Sequence, residues 1–185
     1  MAAVHERTFR GRKVVGFMSD RVFARLAQLI DEYDVDSVIE IGAFVGLSTC
    51  WFAERVDSVI TVDMFNAKAL KDRTLDPYVQ DHHRSAYYNQ YPTFLENTLA
   101  YPNIRSIKMW SVDAARLPVE ADMVYIDGSH SYEETLADIR AWRPHARRVL
   151  CGDDNWDKPH MGVKQALAEE GIRDSGERTW WVATS

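Results

Sequence analysis

Short apolar runs alternate along the chain with segments whose apolar residues recur every three or four positions, a pattern that predicts strands and helices in turn. Val38, Ile39 and Ile41 form the first buried run, too short for a helix and apolar on both faces, as a parallel strand requires. Similar runs follow at Ser58 to Asp63, Ile104 to Trp110, Met123 to Asp127 and Arg148 to Gly152. Between them lie helical patterns. Ser19 is placed to cap a helix over 20–33 carrying Val22, Phe23, Leu26, Leu29 and Ile30. Others begin after Gly46 (Leu47, Cys50, Trp51), cover Tyr91 to Tyr101 and Tyr132 to Trp142, and start near His160. Ile172 to Ser185 ends the pattern with two short strands around a turn at Ser175 and Gly176. The reading is one α/β domain over residues 1–185. It has a lead-in arm at 1–18, where Val14, Val15, Phe17 and Met18 are available to cover part of a cleft. The polar, aromatic-spotted stretch 64–91 reads as a lid or substrate loop. Its His82 and His83 are adjacent in an irregular segment and read as solvated rather than ligating.

The stretch from Val38 to Thr49 is where this pattern acquires chemistry. Gly42 and Gly46 let the backbone turn and approach a ligand where a Cβ would obstruct it, and the loop empties onto a helix whose free N–H groups suit an anionic group. Glu40 adds a carboxylate at the strand end. It repels a pyrophosphate and attracts a cationic group, so the loop suits a zwitterion better than a dinucleotide, and its spacing is not G-x-G-x-x-G. Asp63 ends the second strand, where a doubly wound fold brings it beside the first loop and where it can accept from both hydroxyls of a ribose.

Composition narrows the class. The chain has 185 residues, 46% of them hydrophobic, enough for one well-buried domain. A net charge of -6 and a pI near 5.5 offer no general attraction to a phosphate backbone, which argues against nucleic acid as partner. Two cysteines, Cys50 and Cys151, fall in elements expected to be buried and imply neither a disulfide framework nor a zinc site. No apolar run approaches a membrane span, and the arginines and Lys13 near the N-terminus do not resemble a signal peptide. A cytoplasmic protein in a reducing compartment is the expectation.

Three acids, Asp127, Asp153 and Asp154, close two successive parallel strands, where open α/β sheets place their ligands. Clustered carboxylates repel unless protons or a cation intervene, and oxygen donors suit Mg²⁺, Mn²⁺ or Ca²⁺. The expected metal ligands are Asp127, Asp153 and Asp154, with Asn155 as the alternative if the strand ends one residue later. The same acids are also in position to cap the helices that follow. His130, three residues past Asp127, is the candidate general base, because neutral imidazole takes a proton near pH 7.

The spacing E-x-G-x-x-x-G-x-S over Glu40 to Ser48 resembles the first motif of class I S-adenosylmethionine (SAM) methyltransferases, in particular the catechol and caffeoyl-CoA O-methyltransferases. The D-G-x-H run from Asp127 resembles the macrocin O-methyltransferase type, in which the histidine serves as base. The resemblance implies a single Rossmann-like, seven-stranded sheet in the order 3-2-1-4-5-7-6, its last strand antiparallel. It implies that Glu40, Gly42, Phe44, Gly46 and Ser48 surround the methionine part of SAM and that Ser111 and Asp113 lie at its adenine. It further implies an acid after the fourth strand and a pair after the fifth as ligands of a divalent ion, Mg²⁺ by expectation. The function so implied is methyl transfer to a hydroxyl of a small molecule, a sugar or natural product; the sequence is compatible with a homo-oligomer and does not fix the oligomeric state. The alternatives are a metal-independent N-methyltransferase, whose acids hold an amine, and a non-catalytic SAM-binding protein.

Overall fold

In a computed structural model the structure describes residues 5–65, 89–156, 162–176 and 178–184. Among the described residues nine strands run in chain order: β1 (His5–Phe9), β2 (Arg12–Gly16), β3 (Ser37–Ile41), β4 (Ser58–Val62), β5 (Ile104–Ile107), β6 (Ala121–Ile126), β7 (Ala146–Gly152), β8 (Asp174–Gly176) and β9 (Thr179–Ala183). The α-helices among the described residues are α1 (Asp20–Glu32), α2 (Leu47–Ala53), α3 (Gln90–Thr98), α4 (Ser111–Ala114), α5 (Tyr132–Trp142) and α6 (Val163–Glu169).

Seven strands form one sheet in the order β5-β4-β3-β6-β7-β9-β8. This is the predicted order. β3 to β7 pair in parallel, and β9 is antiparallel to both β7 and β8. Alternate residues of each central strand enter different cores, because successive side chains point to opposite faces. Val38, Val59, Met123, Tyr125, Val149 and Cys151 pack with α1 and α2, against Leu26, Leu29, Trp51 and Phe52. Ile39, Ile41, Val62, Val124, Ile126 and Leu150 pack on the other face with Ile139, Trp142 and Ala166 of α5 and α6. Both faces are therefore covered, which explains the near-continuous apolar runs.

Helix boundaries follow local chemistry. Ser19 Oγ accepts from Val22 N and Ser131 Oγ from Glu134 N, so α1 and α5 each begin on a serine cap. Observed α5 coincides with the predicted Tyr132 to Trp142, whereas the run from Ile104 stops as a strand at Ile107, three residues short of the expected end, and α6 begins at Val163 rather than near His160.

The lead-in differs more. Within the lead-in, residues 5–16 are an antiparallel hairpin, its turn carried by Arg10 (φ 46°) and Gly11 (φ 83°). Phe9 and Val14 are buried from it, and the chain packs so closely at Gly16 that an added Cβ would lie 2.6 Å from Leu47 Cδ2. Most of the stretch 64–91, including His82 and His83, lies outside the described residues. No helix among those described is long and apolar enough to cross a membrane.

Candidate active site at the carboxyl ends of the strands

The sheet's hydrogen bonding continues one residue beyond each central strand and so fixes the residues that follow. Gly42 N donates to Val62 O (2.9 Å), Asp127 N to Ile41 O (2.8 Å), Asp153 N to Ile126 O (3.2 Å) and Asp63 N to Ile107 O (3.2 Å). Asp63, Asp127 and Asp153 are thereby aligned along one edge of the sheet. Gly42 has φ 91°, and a Cβ there would stand 2.4 Å from Asp127 O. The glycine is required because the loop after β3 lies directly on the end of β6.

That loop is organised by Asp63. Its Oδ2 accepts from Ala43 N (2.9 Å) and Phe44 N (3.0 Å), and its Oδ1 from Phe65 N (2.6 Å). Burial raises the Asp63 pKa, and these three N–H groups pull against that rise. Phe44 is held at φ 51°, uncommon for a residue with a side chain, and its ring lies 5.7 Å from that of Phe17 at the end of the hairpin. Phe17 thus packs on the loop through Phe44, whereas Val14 and Met18 are buried in the core with α1 and α2.

Glu40 is fully buried. Ser48 and Thr49 donate their hydroxyls to its two carboxylate oxygens, tying β3 to the first turn of α2. Burial pushes its pKa up to about 7 against these hydroxyls. Glu40 and Ser48 thus act on the loop from beneath. Gly46, at φ 92°, is the N-cap of α2 and offers no side chain. Ser111, at the start of α4, accepts from Trp142 Nε1 (2.7 Å), and Asp113 pairs with Arg116 at 3.3 Å on the surface. Beside them Trp110 is 55% exposed, an apolar face open next to the end of β5.

The acids converge at the ends of β6 and β7. Ligand atoms of Asp127, His130 and Asp154 all lie within 4.8 Å of one another. His130 Nε2 is 2.8 Å from Asp154 Oδ2 and 3.9 Å from Asp127 Oδ1. The backbone of His130 is clamped as well, its carbonyl accepting from Gly162 N at 2.8 Å. Asp154 sits at φ 62°, a left-handed conformation that costs on the order of 1–3 kcal/mol and is retained where the surroundings over-determine it.

Asp153 stands apart from this trio. Its Oδ2 accepts from Arg178 Nη2 at 3.0 Å, and its Oδ1 is buried with no hydrogen-bond partner among the described residues. Arg178 also donates to Asp154 Oδ1 and lies over the Trp156 ring at 4.2 Å. Asn155 is held through its backbone, N donating to Arg178 O at 2.8 Å. The sequence reading missed Arg178. The signal that finds it is the antiparallel register of β7 and β9, in which Gly152 faces Trp180 and the residues before β9 therefore face those after β7.

The electrostatics follow the geometry. Burial raises Asp153 to about 8, and the neighbouring charges of Asp127 and Asp154 add to the effect. Asp154 is held below the ordinary carboxylate value despite burial, because His130 and Arg178 both favour its charge. Burial alone would lower the His130 pKa, but Asp127 and Asp154 outweigh it and raise the imidazole to about 10. The geometry therefore favours the protonated imidazole.

The chain matches the family model described as "Methyltransferase domain" over residues 39–154. No curated protein matches it in sequence. Its fold is shared with cofactor-bound Rv0187 from MTB (18% identity, TM-score 0.60, covering 90% of this chain and 80% of that one). It is also shared with an O-methyltransferase from Bacillus cereus in complex with SAH (15%, 0.56, 90% and 81%). A third is the O-methyltransferase TomG from Streptomyces achromogenes, involved in tomaymycin synthesis, in complex with SAM (15%, 0.54, 91% and 82%).

Proposed function

Because the chain belongs to this methyltransferase-domain family, we propose that it transfers the methyl group of SAM to a hydroxyl of a small molecule, with a divalent ion at the Asp127 and Asp154 carboxylates. The observation that carries the reading is the meeting of Asp127, His130 and Asp154 within 4.8 Å at the end of the sheet that holds the glycine loop.

The residues fit the cofactor. A carboxylate has about four acceptor positions, and Asp63 uses three of them, two on the glycine loop and one on Phe65 N, so one is left for a ribose hydroxyl. The exposed Trp110 face, with Ser111 and Asp113 beside it, suits a purine. The loop from Gly42 to Ser48 provides the turn against which the methionine part would lie, with Phe44 at its tip. The donor set also fits a hard divalent ion, with the carboxylate oxygens of Asp127 and Asp154 at ligand spacing and the imidazole nitrogen of His130 beside them left for the proton.

When bound, SAM supplies an electrophilic methyl carbon on a sulfonium, and a divalent ion would acidify the hydroxyl it holds. The chain's own contribution is alignment and proton removal. His130 Nε2 would take the hydroxyl proton, while the Gly42–Ser48 loop and Asp63 would hold SAM, which would give its methyl group to the hydroxyl oxygen and leave as S-adenosylhomocysteine. His130 can accept that proton once the charge of Asp127 and Asp154 is offset, since those acids are what keep it protonated.

A second reading has a specific support: Arg178 already places a cation on Asp153 and Asp154. On that reading the protein is a metal-independent N-methyltransferase whose remaining acid charge holds an amine. The test is mass spectrometry of sugar and polyketide-like acceptor mixtures incubated with SAM, with Mg²⁺ and with a chelator. Methyl addition to hydroxyls that stops on chelation supports the first reading. Chelator-insensitive addition to amines overturns it in favour of the second.

A further inference from the structure

Arg178 is a cation built into the acid centre, and its position says what it does there. The guanidinium reaches back from the start of β9 to the two residues that follow β7, with Nη2 3.0 Å from Asp153 Oδ2 and also bonded to Asp154 Oδ1. It is fixed from other sides too. The Trp156 ring lies 4.2 Å from its central carbon, and its backbone carbonyl accepts from Asn155 N. Its side chain is 20% exposed, against 3% for Asp153 and 6% for Asp154. This is a shielded charge pair, not a surface one, and such pairs are weakly screened.

Two consequences follow for a cation at the Asp127 and Asp154 carboxylates, beside His130. Asp153 is turned to Arg178 by one oxygen, while its other oxygen is buried without a partner among the described residues. Asp154 divides its oxygens, Oδ1 to Arg178 and Oδ2 to His130. The guanidinium therefore offsets part of the charge that attracts a divalent ion and engages the one carboxylate that the trio lacks.

We infer that Arg178 is a positioning residue that weakens divalent-ion binding at this centre, by holding Asp153 out of the coordination group and by placing a fixed positive charge beside Asp154. The inference rests on the reading of the acid centre as a metal site, and it predicts a gain rather than a loss when the arginine is removed. A purely structural arginine gives no gain.

The probe is Mn²⁺, with affinity measured by calorimetry on the full chain for wild type, Arg178→Gln and Arg178→Lys. Thermal unfolding in chelator reports whether each variant is folded. Arg178→Gln should bind Mn²⁺ at least about tenfold more tightly, the least that losing one nearby unit charge should give at the effective dielectric of a protein. Arg178→Lys, which keeps the charge, should stay within about threefold of wild type. Adding Asp153→Asn to Arg178→Gln should remove part of the gain, because the released carboxylate then has no charge to offer. In chelator, Arg178→Gln should unfold at a lower temperature than Arg178→Lys, and Mn²⁺ should restore more of the difference. Mn²⁺ binding to Arg178→Gln but not detectably to wild type also supports the inference. If wild type binds Mn²⁺ and Arg178→Gln binds no more tightly, the inference is overturned and the metal reading stands. If neither protein binds Mn²⁺, the metal reading falls and the inference falls with it.

Discussion

Strand β6 carries an aspartate near each end, and the two are held in opposite ways. Asp122, near the amino end, is satisfied throughout: Oδ2 accepts from Asp36 N and Ser37 N (both 3.1 Å) and from Ser37 Oγ (2.8 Å), and Oδ1 from Arg147 Nη2 (3.0 Å). Although burial works against its charge, the Ser37 hydroxyl, the Asp36 N–H and Arg147 hold it below the ordinary carboxylate value. Asp127, one residue past the carboxyl end, is raised by burial, against the pull of His130 and with the charge of Asp154 adding to the rise. A carboxylate that closes a fold is given more donors than it needs. The acids at the other end are left in conflict, with Asp153 raised to about 8 and Asp154 in a left-handed backbone. Unresolved charge at the ligand-binding edge of an α/β sheet is the mark of a site rather than a staple.

The sharpest break in this comparison is kinetic. His130→Ala should lower the methyl-transfer rate by roughly 10² to 10⁴, the range for a positioned general base, with SAM affinity unchanged by calorimetry. Asp122→Asn should leave the rate per folded molecule alone and lower stability instead. Weakening a buried acceptor that serves several donors costs about 1–3 kcal/mol, to be read from denaturant unfolding. A catalytic defect in Asp122→Asn as large as that of His130→Ala would erase the distinction between the two ends.

Asp63 tests a mixed case. Asp63→Ala should weaken SAM binding about tenfold or more, since a charge-assisted acceptor is worth about 1.5–3 kcal/mol. The same change should free Ala43 and Phe44 N–H, so hydrogen exchange at those two amides should speed up in the cofactor-free protein. Unchanged SAM affinity in a folded variant removes Asp63 from the cofactor site.

The smallest effect is a pH dependence of opposite sign at the two ends. His130 has a raised pKa, so the stability it gains from Asp127 and Asp154 is fully present below about 6.5 and is lost as pH rises through about 10. Asp122 is lowered, so its contribution is present above about 3.9 and lost as pH falls through its folded value. Melting temperatures across pH should lose their alkaline slope in His130→Gln and part of their acid slope in Asp122→Asn. The reverse assignment would contradict the charges described here.

Much of the framework was legible because it rests on local signals. The strand before Gly42, the Ser19 cap and the limits of α5 follow from periodicity and capping, and the strand order follows from the resemblance. The hairpin of residues 5–16 was not legible because just two of its residues, Phe9 and Val14, are buried apolar side chains, too few for an alternation to stand out. The candidate residues could be named from strand ends, but their partners could not. Asp63 binding the loop amides depends on the register of β3 and β4, Arg178 bridging Asp153 and Asp154 on that of β7 and β9, and Glu40 binding Ser48 and Thr49 on how the loop between β3 and α2 folds back. His130 shows the cost most clearly. Spacing suggested a base, but not that Asp127 and Asp154 would both face its ring and raise its pKa.

The central claim is that the carboxyl-end acids and His130 form one proton-handling centre that a divalent ion completes. The direct measurement is an NMR titration of the His130 ring in SAM-bound protein, first in chelator and then with saturating Mg²⁺. The account predicts an apparent pKa near 10 in chelator and a fall towards about 6.5 with the ion present, as compensated acids cease to stabilise the imidazolium. A histidine that titrates at the same pH in both conditions would contradict it.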